Sequence, residues 1–158
     1  MDDIAARAHL TKRALYQHFP SKDDLIAAAL AHSSELAMKR LRRFRRPTRC
    51  DELIDSFFTE LADWAVKPRW SGSGFTRVVV ELADLRGHPA RAIARQHKTA
   101  VEKWLANALA AARIASPCDR AREVMLLMEG AMVLMLIHGD RGYATAAALA
   151  AKSLIQKG

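Results

Sequence analysis

Apolar residues recur every three to four positions along most of this 158-residue chain, and that period predicts helices almost throughout. A short first helix carries Ile4, Ala5 and Ala8, with Asp2 or Asp3 placed to cap it. His9-Leu10 reads as a turn. Thr11 opens a second short helix, Leu15 and Phe19 lie four apart on one of its faces, and Pro20 ends it. Ser21 caps a third helix, and Asp24 three residues on makes an acidic variant of a capping box. That helix is expected to run to about Phe44 through Leu25, Ile26, Ala29, Leu36 and Leu41.

From Asp51 the pattern strengthens. Leu53, Ile54, Phe57, Phe58, Leu61, Trp64 and Ala65 form an apolar stripe at helical spacing. Residues 67–74, KPRWSGSG, read as a loop. A helix is expected from about Phe75 to Leu85, ending before Gly87-His88-Pro89, and a long one from Ala90 to about Ile114. Pro117 starts the next helix, which is apolar nearly all round from Val124 to Ile137. A helix without a polar face needs cover on two sides, and in so short a chain a second copy can supply one of them. Gly139 to Gly142 makes a turn, and an Ala-rich helix follows through Leu149, Leu154 and Ile155. The β-like run Val78-Val79-Val80 is too short to argue for a sheet. The fold class read from the pattern is all-α.

Composition narrows the function. Net charge is +8 and is uneven: residues 1–50 hold 11 Lys and Arg against 5 Asp and Glu, whereas residues 51–158 hold 14 against 12. The excess in the first third reads as either a solvated surface or a footprint for a polyanion. The connector RRFRRPTRC, residues 42–50, divides a small basic module, 1–46, from a larger helical body, 47–158. It is either a solvated helix end or a DNA contact. Cys50 and Cys118 are far apart and outside any C-x-x-C spacing, which speaks against a disulfide framework and fits a reducing cytoplasm. The first residues do not read as a signal peptide, and the longest apolar run is interrupted by Glu129, so no membrane partner is expected. His88 and His97 lack metal-ligand spacing, and no P-loop, dinucleotide fingerprint or nucleophile triad is present. Neither an enzyme nor a cofactor is expected. An enzyme reading would need His97 and Glu81 to act as an acid–base pair.

The chemistry concentrates in residues 2–22, which read as helix, tight turn, helix. In that arrangement the second helix enters a DNA major groove by its N-terminal end, carrying Thr11, Lys12 and Arg13 toward base edges or flanking phosphates. Tyr16, Gln17 and His18 lie toward its far end. Lys22 stands at the start of the next helix, where free N–H groups attract phosphate.

The stretch DDIAARAHLTKRALYQHFPSKDDLIAAAL closely resembles the DNA-binding motif of TetR-family transcriptional regulators. The matching residues are Ile4-Ala5, Ala8, Leu15-Tyr16, His18-Phe19, Ser21-Lys22 and Leu25. The resemblance covers about the first thirty residues. It implies a homodimeric, ligand-responsive repressor that binds double-stranded palindromic DNA, with an all-helical body that takes a small molecule and pairs through its last two helices. In two respects this sequence departs from the family. The turn holds His9-Leu10 where the family has Gly-Val or Gly-Leu. The family also has a helix ahead of the Ile-Ala helix, whereas here Met1-Asp2-Asp3 lead straight into it, so the module reads as incomplete. The alternative is a dimeric small-molecule-binding protein that has lost DNA binding.

The ligand-binding residues expected on that reading are Phe58, Leu61, Trp64, Phe75, Glu81, His97, Trp104 and Met128. Each aromatic or Met among them also reads as ordinary core. Glu81, His97 and Glu129 are polar positions in or beside apolar stripes, each needing a partner if buried. The dimer interface is expected at Val124, Met128, Ala131, Met135, Ala147 and Leu154, with Gly130 and Ala131 letting two backbones approach.

Overall fold

The structure, a computed structural model, describes residues 1–43, 50–68 and 70–156. The described residues form eight helices and no strand: α1 Asp2–Arg7, α2 Lys12–His18, α3 Lys22–Arg43, α4 Cys50–Ala65, α5 Gly74–Glu81, α6 Pro89–Ala111, α7 Pro117–His138 and α8 Gly142–Gln156. The expected boundary at residues 46 and 47, and the expected last residue of α3, Phe44, lie outside the described residues.

Local chemistry sets the helix starts. The Thr11 hydroxyl accepts from the Ala14 N–H at 3.1 Å and opens α2. Ser21 does the same for Asp24 at 3.1 Å. The Asp24 carboxylate, however, accepts the Ser21 hydroxyl proton at 2.6 Å instead of reaching back to the backbone as a capping box would. Neither Asp2 nor Asp3 caps α1; Met1 holds that position, and Asp2 pairs with Lys12 at 3.0 Å. Pro89 and Pro117 sit in the first turns of α6 and α7, where a missing N–H costs nothing.

Two helices stop earlier than their apolar pattern predicts. The α5 helix ends at Glu81 and the chain turns through Leu82 to Leu85. The α6 helix ends at Ala111 because Arg113, at φ 60°, takes a left-handed conformation that turns the chain away.

The main core lies between α4, α6, α7 and α8, around Ile54, Phe58, Leu105, Leu109 and Val124, all essentially inaccessible. Ion pairs tie its rim: Lys152 of α8 to Asp55 of α4 at 2.7 Å, and Arg141, just before α8, to Asp63 of α4 at 3.0 Å. A second, smaller core of Leu30, Phe75, Ala90 and Ala94 packs α3 and α5 onto the first half of α6. The α3 helix thus belongs to both parts of the molecule, since its first turn follows α2 directly while its middle is part of the body.

His88 strengthens that junction. Its buried ring caps α6, Nδ1 accepting from the Ala90 N–H at 3.1 Å, while Nε2 faces the Asp23 carboxylate in the first turn of α3 at 3.3 Å.

Candidate nucleic-acid interface and internal cavity

The helix pair α1–α2 is held together by Ala5 and Leu15, each 4 % exposed, and by the Lys12–Asp2 pair. Between them His9 adopts φ 55°, the left-handed value that a Gly would take without strain. This turn swings α2 so that one face carries Leu15 inward and the rest points out. Thr11, Lys12, Arg13, Tyr16, Gln17, His18 and Lys22 are all exposed, and together they form one continuous polar surface from α2 onto the first turn of α3. Thr11 serves as a cap acceptor yet keeps its own proton to donate. Lys12 is engaged with Asp2, an exposed pair that is held weakly and is open to exchange for a phosphate. The sequence missed this pairing, because residues 2 and 12 become neighbours only through the turn.

In the body, a cavity of about 380 Å³ opens between α3, α4, α5, α6 and α7. That volume suits a small molecule. Five of the eight residues expected at a ligand site line it: Leu61, Trp64, Phe75, His97 and Met128. Phe57, Val101 and Met132, with Leu36, Ala37 and Leu41 of α3, complete its apolar wall. The other three lie elsewhere. Phe58, 1 % exposed, faces the main core on the far side of α4. Trp104 packs against that same core and stacks on Phe57 at 6.1 Å. Glu81 is exposed at the end of α5 and pairs with Arg77 at 3.4 Å. Glu81 and His97 are therefore not brought together as an acid–base pair.

The polar side of the cavity is more organised than the sequence suggested. His97 stacks on Phe75, ring centroids 3.7 Å apart, and its Nδ1 shares a 2.9 Å hydrogen bond with the Ser34 hydroxyl of α3. Burial, helped by the neighbouring Lys98 ammonium and opposed by Glu129, lowers its pKa to about 4. Glu129, singled out as an acid needing a partner, has two: Lys98 donates to one carboxylate oxygen, and the Thr76 hydroxyl donates to the other at 2.7 Å. Lys98 also reaches Ser73 at 3.3 Å. One carboxylate thereby links α5, α6 and α7. Lys98 was not among the expected residues, although its place four residues after Ala94 and three before Val101 puts it on the inward stripe of α6. No group of His, Cys, Asp and Glu among the described residues could hold a metal ion. No described helix is long and apolar enough to cross a membrane.

The residues expected at a dimer interface lie mostly within one subunit. Val124, Met128, Ala131, Met135 and Ala147 are buried inside one subunit, and Leu154 is half-buried. The apolar residues that α7 leaves exposed are Leu126, Val133, Leu134, Leu136 and Ile137, joined by Leu149 of α8. A helix that is apolar all round gives no sequence signal for which face points inward.

Residues 1–29 match the bacterial regulatory proteins of the tetR family. No curated protein sequence matches the chain significantly. Among solved structures, SCO4454, a TetR-family transcriptional regulator from Streptomyces coelicolor, is similar at 22% identity and TM-score 0.83, covering 99% of this chain and 82% of that one. Reduced NemR from E. coli is similar at 19% identity and TM-score 0.85, covering 98% and 85%. A candidate TetR-type regulator from Streptomyces avermitilis, sav143, is similar at 26% identity and TM-score 0.78, covering 96% and 86%. Its first 29 residues thus match the tetR-family model, and along nearly its whole length the chain has the fold of TetR-family regulators.

Proposed function

We propose that this chain is a cytoplasmic, ligand-responsive repressor that binds a palindromic operator as a homodimer. The observation that carries the DNA reading is the exposed polar face running from Thr11 through Arg13, Tyr16, Gln17 and His18 to Lys22. Its residues are hydrogen-bond donors or cations on a short helix whose opposite side is buried, as a major-groove reader requires. Thr11, Lys12 and Arg13 lie at the end that enters the groove and reach bases or flanking phosphates. Tyr16, His18 and Lys22 hold the backbone. Two copies have to present their reading helices roughly 34–36 Å apart, or a multiple of that, on one face of the duplex.

The ligand response rests on the cavity and on its neighbours. The wall of the cavity includes Ser33, Leu36 and Arg40 of α3, the same helix that begins beside the reading head. A small molecule that seats between α3 and α6 shifts the population of α3 positions, and thus the spacing of the two heads. The His97–Ser34 bond is the polar link it would meet first.

The test is a binding titration on operator DNA selected from a random pool. Lys22→Ala should weaken binding to every sequence alike and reduce the salt slope by about one. Arg13→Ala should change which operator is preferred. If the intact chain selects no sequence at all, the DNA-binding reading is overturned in favour of a small-molecule-binding protein.

A further inference from the structure

A second open space lies on the outer side of α6. It is a groove of about 630 Å³ between α5 and the first half of α6, and it shares Phe75 and Lys98 with the internal cavity. Four of its lining residues are cations, Arg86, Arg91, Arg95 and Lys98, and none is a carboxylate. Three of these lie at i, i+4 and i+7 on α6, so they form a row on one face, about one turn of ~5.4 Å apart. Like charges so placed repel each other and weaken a helix. The row therefore calls for counter-charge, and the chain supplies little. Arg91 donates to the Ala83 carbonyl at 2.9 Å, and Lys98 is paired with Glu129. Arg86 and Arg95 have no hydrogen-bond or ion-pair partner among the described residues. Glu81, at the end of α5, is drawn to Arg77 and does not line the groove.

We propose that this groove is a binding site for a compact polyanion, a phosphorylated or multiply carboxylated small molecule. Its charged groups lie along Arg86, Arg91 and Arg95, and an apolar appendage rests on Val79 and Val80. Guanidinium forks match phosphate and carboxylate oxygens in pairs, which an ammonium does not. The groove is distinct from the internal cavity, whose lining includes the carboxylate Glu60 and a larger apolar wall of Leu61, Trp64, Met128 and Met132. The two are coupled through Lys98. A ligand oxygen that takes Lys98 from Glu129 loosens the carboxylate link between α5, α6 and α7, and Lys98 itself lines the internal cavity. A DNA duplex is a poor occupant, because the row climbs α6 away from the Asp23 contact and the reading head.

The experiment is calorimetric titration of the full chain with tripolyphosphate and, separately, with citrate. An amide chemical-shift map at saturation accompanies each. Saturable one-to-one binding of either probe is expected, with shifts centred on Thr76, Gly87 and Arg95. The arm that binds distinguishes a phosphate from a carboxylate ligand. Arg86→Gln with Arg95→Gln should weaken it about tenfold or more. The control removes the same charge elsewhere, by Lys39→Gln with Lys103→Gln, both exposed and outside the groove, and should leave binding nearly intact. Both pairs change exposed side chains, so folding should be preserved, and circular dichroism checks this. Equal loss in the two double variants would mean general charge attraction and overturn the proposal. So would unchanged binding in the groove variant, shifts confined to α2, or no saturable binding of either probe.

Discussion

His9 is held at φ 55°, where a side chain other than Gly, Asn or Asp costs about 1 kcal/mol. His9→Gly should recover most of that and raise the melting temperature by about 2–4 °C, measured by thermal unfolding. His97 makes a pH-dependent contribution whose sign follows from its burial. Folding lowers its pKa from 6.5 to about 4, so between these values the unfolded chain binds a proton that the folded chain refuses. Stability on this account is fully present above pH 6.5, falls as pH drops toward 4, and is flat below, a loss of about 3 kcal/mol. Denaturant midpoints at pH 7 and pH 4.5 should therefore differ less in His97→Gln than in the parent. Equal differences would mean that the ring does not resist protonation. Little of this was legible beforehand. The sequence marked His97 as a polar break in an apolar stripe, but its stacking on Phe75 and its bond to Ser34 link positions 22 and 63 residues away.

The α7 helix shows how a pattern can fix a helix and leave its orientation open. The expected start at Pro117 and the expected turn from Gly139 agree with the structure, because Pro117 at the start and left-handed Gly139 at the end are local signals. Which side faces the core is not local. The methionines at 125, 128, 132 and 135 turn inward against α4, α6 and α8, leaving Leu126, Gly130, Val133 and Ile137 on the outer face. We expect that outer face, with Leu149 and the small residues of α8, to be where two copies meet. Val133→Glu should yield a folded monomer by sedimentation, and a variant that sediments like the parent would remove this face from consideration. Gly130 gives an independent check. A Cβ there meets nothing within 4 Å in one subunit, so Gly130→Ala should stabilise the isolated helix by about 1 kcal/mol. In a dimer whose backbones approach at that point, the same methyl group should weaken association. Thermal unfolding at dilute and at high protein concentration separates the two effects.

Across the whole molecule, the α1–α2 pair and the helical body are joined by chemistry that no motif announced. Thr11, Ser21 and the I-A-x-x-A spacing made the head legible, because caps and turns act over three or four residues. The cavity was half legible, as its apolar wall follows from helical stripes, whereas Lys98, Ser73 and Thr76 come together only when three helices pack. His88 was read as part of a helix-breaking turn. In the fold it does two jobs with one ring, ending the α5–α6 connection and facing Asp23 across to the start of α3. Removing the ring should therefore loosen two places at once. In His88→Ala the Ala90 amide loses its acceptor, and the first turn of α3 loses its neighbour in the body. Hydrogen exchange should speed up at Ala90 and at Asp24 together, while Leu105, in the core, stays protected. In the unaltered protein that single amide becomes a gauge. Any event that swings the α1–α2 pair from the body should register as faster exchange at Ala90, so movement between the two can be followed at one backbone hydrogen.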